Sequence, residues 1–209
     1  MTKIVPAILA KSKEEYQQRL GVIRQLTDRF QVDIIDGEYV DNRTIQLEEV
    51  ARMTELKMDL HLMVVDPKEY VELAITLNPN LIIIQLECGQ DITPQLERIK
   101  KSGLQAGVAI NPETKFSKII PMKELLDHVL LMAYPAGFSG AKLQPEVLSR
   151  LEEARDIFPT AEIGLDGGVT VKNAKKVLQS GFDTVNINSA LFDAEDPLNQ
   201  YSEFLTYLL

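Results

Sequence analysis

The chain has 209 residues, 45% hydrophobic and 25% charged, with a formal net charge of −9 from 22 Lys+Arg against 31 Asp+Glu. That length suits one substantial core and falls short of two ordinary domains with a linker, so one domain over residues 1–209 is expected. The acidic balance argues against nonspecific nucleic-acid binding, and no apolar run approaches the roughly 18 residues of a membrane span.

In chain order, a β-branched run at 4–9 leads to a helical pattern at 13–26, a strand at 31–36 to a helix at 46–54, a strand at 57–64 to a helix at 67–77, and a strand at 81–87 to a helix at 94–102. The alternation continues with strands at 105–110, 128–133, 162–166 and 184–188 before helices at 121–126, 145–158, 171–179 and 197–208. Asp66-Pro67, Thr93-Pro94 and Asp196-Pro197 open helices with a turn former and a proline, while Gly103 and Gly181 close them. Eight strands alternating with eight helices predict an α/β fold, a (β/α)8 TIM barrel rather than an open doubly wound sheet. The position of the polar residues decides between the two. They sit in or at the carboxyl ends of several strands, where barrel enzymes build their sites.

Three strand runs carry groups of catalytic type: Asp33 in residues 31–37, His61 in residues 59–63 and Asp166 in residues 163–168. Burying such a group without a partner is costly, which predicts that the three converge. Alternate side chains share a face, so Gln31, Asp33 and Ile35 point one way, as do Asp59, His61 and Met63. A histidine and carboxylates at barrel-interior positions suit a divalent metal. Two carboxylates across a flat substrate also suit a proton-in, proton-out pair that inverts a carbon beside a carbonyl. The blander readings are a turn-forming Asp36, a capping Asp33 and a core His61. Glycine-rich loops at 136–140 and 166–168, with Asn188-Ser189-Ala190, follow strands six, seven and eight, and backbone N–H groups there suit a phosphate. The one cysteine, Cys88, allows no internal disulfide and is read as structural. The amino-terminal apolar run is too short for a signal peptide, so a cytoplasmic location is expected.

These stretches, with Pro6-Ala7-Ile8-Leu9, Asp66-Pro67, residues 107–114, Leu131-Met132, Asn173-Ala174 and Ser189-Ala190-Leu191-Phe192, resemble the ribulose-phosphate 3-epimerase family over nearly the whole chain. The resemblance implies a ribulose-phosphate-binding barrel, an isomerase converting ribulose 5-phosphate to xylulose 5-phosphate by inversion at C3. It implies Asp33 and Asp166 as the acid–base pair, and Asp33, His61 and Asp166 as ligands of zinc, iron, manganese or cobalt, with no organic cofactor. Met63 and Met132 would line the substrate. Gly137, Ser139 and Gly140 would belong to the loop over it, and Gly167, Gly168 and Ser189 would cradle its phosphate. Family members are often homo-oligomers.

Six positions depart from the family pattern. Gln31 stands where a metal histidine is usual, Ala7 replaces a substrate-binding serine, and Gln85 replaces a histidine while Glu87 is kept. Pro135-Ala136 replaces Asn-Pro, and Asn188 replaces a glycine at the phosphate loop. Three readings follow: an active epimerase on a ketopentose phosphate, a catalytically impaired phosphosugar-binding protein, and a metal-independent epimerase or isomerase on another sugar phosphate. In the last, the Gln31 amide donates to the enediolate oxygen.

Overall fold

Runs such as Leu81-Ile82-Ile83-Ile84 are apolar on both faces, as parallel strands must be when helices cover them outside and side chains fill the space inside. The computed structural model describes residues 1–138, 140 and 142–208. Its strands are β1 (Lys3–Ile8), β2 (Arg29–Ile35), β3 (Lys57–Met63), β4 (Leu81–Gln85), β5 (Gln105–Ile110), β6 (His128–Met132), β7 (Glu162–Asp166) and β8 (Thr184–Ile187). All neighbours pair in parallel and β8 returns to β1, closing the expected TIM barrel.

Helices α1 (Lys13–Ile23), α2 (Pro67–Leu77), α3 (Thr93–Lys101), α4 (Glu146–Ile157), α5 (Ala174–Leu178), α6 (Ser189–Phe192) and α7 (Pro197–Thr206) surround it. Asp66 and Asp196 cap α2 and α7 by accepting backbone N–H bonds, each followed by proline in the first turn. The main core lies between strands and helices. A smaller cluster, including Ile35, Met63, Ile83, Ala109, Leu130 and Met132, fills the barrel interior.

Two of the eight expected helices are corrected. Residues 46–54 form only a 3-10 turn at Leu47–Glu49, and residues 121–126 a 3-10 helix at Ile120–Leu125. Leu47, Val50 and Met53 are buried, but Val50 is extended, a conformation its β-branched side chain favours. The helix expected at 171–179 is reduced to α5, because Thr170 and Asn173 exchange side-chain-to-backbone hydrogen bonds that hold a turn there. The short α6 was not expected. Among the described residues, no helix is long and apolar enough to cross a membrane.

Register positions the polar residues. Ala7 is opposite Gln31, Asp33 opposite His61, Ile35 opposite Met63, and Asp166 opposite Asn186. The inner faces of β1, β2, β3, β7 and β8 therefore meet at one level of the barrel.

Candidate active site

Alternation carries Gln31 and Asp33 inward from β2, His61 from β3, Asp166 from β7 and Asn186 from β8, and all five are buried. Asp33, His61 and Asp166 each offer a ligand-type atom, all within 4.8 Å of one another. His61 Nδ1 lies 3.4 Å from Asp33 Oδ1 and 3.8 Å from Asp166 Oδ2. The Gln31 amide nitrogen donates to the same two oxygens, at 2.7 Å each, and its Oε1 accepts from Asn186 Nδ2 at 2.6 Å. Both Gln31 N–H bonds are thus taken by carboxylates, whereas the sequence reading aimed one at a substrate oxygen.

A second chain of hydrogen bonds sets the imidazole. Glu87 accepts from Gln85 Nε2 and from the backbone N–H of Asn111, which leaves Gln85 Oε1 to accept from His61 Nε2 at 2.9 Å. With its proton on Nε2, neutral His61 turns a lone pair on Nδ1 toward two carboxylate oxygens, and among the described residues that buried nitrogen has no hydrogen-bond partner. A proton or a cation relieves this arrangement, so Asp33, His61 and Asp166 fit a divalent ion. Gln31, as oriented, does not serve as a fourth ligand, since it presents N–H rather than oxygen.

The electrostatics agree with this crowding. Burial, then the charge of Asp33, pushes the Asp166 carboxyl up to about 6 against the opposing effects of His61, Gln31 and Asn186. Burial alone would lower the His61 pKa, yet Asp33 and Asp166 beside it hold it above its ordinary value.

The expected binding residues are distributed around this centre. Met63 and Met132 are buried in the interior cluster. Ala7 is 1% exposed and presents no polar group. A cleft beside the carboxylates is lined by Asp33, Asp166, Gly167, Gly168, Asn188 and Ser189, with Tyr134 and Phe138 at its edge. A Cβ on Gly167 would sit 2.8 Å from the Tyr134 ring, and its φ of +92° also demands glycine. Gly137 is held by Asn42 Nδ2 on its carbonyl at 2.7 Å, and Gly140 is exposed. Ser139 lies outside the described residues.

Two blander readings hold. Asp36 accepts from Glu38 N, Tyr39 N and Val65 N, which makes it a loop organiser. Cys88 is buried and its thiol is pushed up by that burial, as suits a structural residue. Sequence reasoning missed Asn186 and Arg19. The alternation of Thr184, Asn186 and Asn188 could have found the first. Nothing local marks Arg19, which donates from α1 to Asn188 Oδ1 at 2.8 Å and to the Leu9 carbonyl at 3.2 Å.

Residues 3–192 match the model of the ribulose-phosphate 3 epimerase family. The chain is similar to the ribulose-phosphate 3-epimerase of Aquifex aeolicus, 34% identical and covering 94% of this chain and 92% of that one. It is 32% identical to the enzyme of the same name from Helicobacter pylori, covering 93% and 92%. Among solved structures, 3-hexulose-6-phosphate synthase from Salmonella typhimurium superposes with a TM-score of 0.73 at 14% identity, over 99% of this chain and 98% of that one, a likeness of fold.

Proposed function

The chain belongs to the ribulose-phosphate 3-epimerase family and is an isomerase of the carbohydrate epimerase class, and on that premise we propose that its single barrel domain inverts C3 of a ketopentose phosphate, turning ribulose 5-phosphate into xylulose 5-phosphate. The observation that carries this reading is the pair of buried carboxylates, Asp33 on β2 and Asp166 on β7. Both lie within hydrogen-bond reach of one Gln31 nitrogen and beside a glycine-lined cleft. One carboxylate removes the proton from C3, beside the C2 carbonyl, and leaves an enediolate. The other returns a proton to the opposite face, so the configuration inverts. Turnover requires one carboxylate ionised and the other protonated. Burial and the neighbouring Asp33 charge raise the Asp166 carboxyl to about 6, which suits it to serve as the acid when Asp33 serves as the base.

Asp33, His61 and Asp166 are the residues that would hold a divalent ion, whose positive charge would steady the negative charge developing on the substrate oxygens. Met63 and Met132 form an apolar wall for the sugar. Backbone N–H groups of Gly167, Gly168 and Ser189 bind its phosphate, with Asn188 tethered to Arg19 at the same cleft.

The test is incubation with ribulose 5-phosphate in D2O, with and without added divalent metal, followed by NMR. Deuterium should enter at C3 as xylulose 5-phosphate accumulates. Asp33→Asn and Asp166→Asn should each slow exchange by roughly 10²–10⁴-fold, the ordinary worth of a positioned acid or base. No deuterium entry in either condition would reject the activity, and full exchange in both variants would reject the assigned roles.

A further inference from the structure

We infer that Gln31 and Asn186 form a locked amide pair that keeps the metal position between Asp33, His61 and Asp166 shut, so that a divalent ion enters only when both amides turn over. Gln31 and Asn186 are 1% and 3% exposed, too enclosed for water to replace a lost hydrogen bond freely. Every polar atom of the Gln31 amide is committed. Its two N–H bonds go to Asp33 Oδ1 and Asp166 Oδ2, and its oxygen takes the N–H of Asn186.

Those two carboxylate oxygens also lie 3.4 and 3.8 Å from His61 Nδ1, which has no hydrogen-bond partner among the described residues. An ion coordinated by all three at about 2.0–2.2 Å would face the amide hydrogens of Gln31. Like partial charges repel, so the amide must rotate until Oε1 points inward. Rotation then sets the Gln31 NH2 against the Asn186 NH2, donor to donor, and Asn186 must rotate as well. A histidine at position 31 would face neither obstacle, since a neutral imidazole offers its lone pair without a competing hydrogen. The resting pair also does part of an ion's work, because two charge-assisted hydrogen bonds draw the carboxylates together.

The inference rests on the same site as the proposed epimerisation, but its test contains no sugar, so either idea can fail without the other. Zinc affinity is measured by competition with a chromophoric chelator on metal-free protein, alongside 15N NMR of the side-chain amides. Wild type should bind zinc at least 10–100-fold more weakly than Gln31→His, the range seen when a supporting partner of a metal ligand is lost. Asn186→Asp can only accept hydrogen bonds, so it should draw the Gln31 NH2 outward, turn Oε1 toward the triad and tighten zinc binding about tenfold or more. The Gln31 NH2 signals should move on zinc addition to wild type. Zinc binding by wild type as tight as by Gln31→His overturns the inference. So does a folded Asn186→Asp protein with unchanged affinity, which decides the matter even if Gln31→His fails to fold.

Discussion

At the scale of single residues, a missing side chain matters as much as those present. Gly164 lies between Glu162 and Asp166 on the inner face of β7, where a Cβ would sit 2.6 Å from Thr184 Oγ1 and 2.7 Å from His128 Nε2. Both atoms belong to buried strand residues with little freedom to move. Gly164→Ala should therefore destabilise the protein by roughly 1–3 kcal/mol, as overpacking does. Urea unfolding checks it: the midpoint should fall with an unchanged slope, and an unaltered midpoint would mean that the barrel interior yields more easily than the packing implies. Asp33, His61 and Asp166 were legible as converging residues because a polar group in an apolar run needs a partner. The hydrogen-bonding direction of Gln31 was not, since an amide can donate or accept and only Asn186 and the carboxylates decide which.

At the scale of elements, strands were read more faithfully than crossovers. A strand must put alternate residues on two different surfaces, and that period survives in the sequence. A crossover need only bury a few apolar residues at some spacing, and 3-10 turns at Leu47–Glu49 and Ile120–Leu125 do so as well as α-helices. Contacts between elements were invisible to local patterns, and Arg19 is the clearest case. From α1 its guanidinium ties the loop after β1, through the Leu9 carbonyl, to the start of α6, through Asn188. It is held by Glu15 at 2.7 Å and stacks 4.9 Å from the Phe192 ring centre. Arg19→Ala should raise KM for the sugar phosphate roughly tenfold, the worth of one charged hydrogen bond, and leave kcat within about twofold. Steady-state kinetics separates the two, and a fall in kcat at constant KM would move Arg19 away from phosphate binding.

At the scale of the whole molecule, an ion-pair network crosses the amino-terminal end of the barrel. Arg29 on β2 donates to Asp59 on β3 at 2.7 Å and to both oxygens of Glu162 on β7, while His128 Nδ1 on β6 lies 3.0 Å from Glu162. Burial would raise the Glu162 carboxyl, but His128 and Arg29 outweigh it and hold the group well below the usual carboxylate range. Its folded pKa is thus depressed. The stability it contributes is present above its unfolded value of about 4.3 and is lost as pH falls through the folded pKa. Asp59 runs the opposite way, because burial raises its carboxyl more than Arg29 and Asn80 lower it. Glu162 is accordingly the member of the network that makes the barrel acid-sensitive. Glu162→Gln should reduce stability by roughly 3 kcal/mol at neutral pH, because it strips a partner from a buried guanidinium. It should also flatten the decline below pH 4. Denaturant unfolding from pH 7 to pH 3 gives both numbers, and equal pH slopes in the two proteins would remove Glu162 from this role.

The sequence by itself determined the strand count, the closed α/β barrel, the faces of the strands and the residues that converge inside them. These depend on periodicity, which is a local property, and on the free-energy penalty of burying a lone polar group. Only the tertiary structure decided the loss of two crossover helices, the link from Arg19 to Asn188, the barrel-crossing network of Arg29 and the orientation of Gln31. Each depends on atoms brought together from distant parts of the chain by strand register and barrel closure, and the donor or acceptor role of a buried side chain is set by those neighbours.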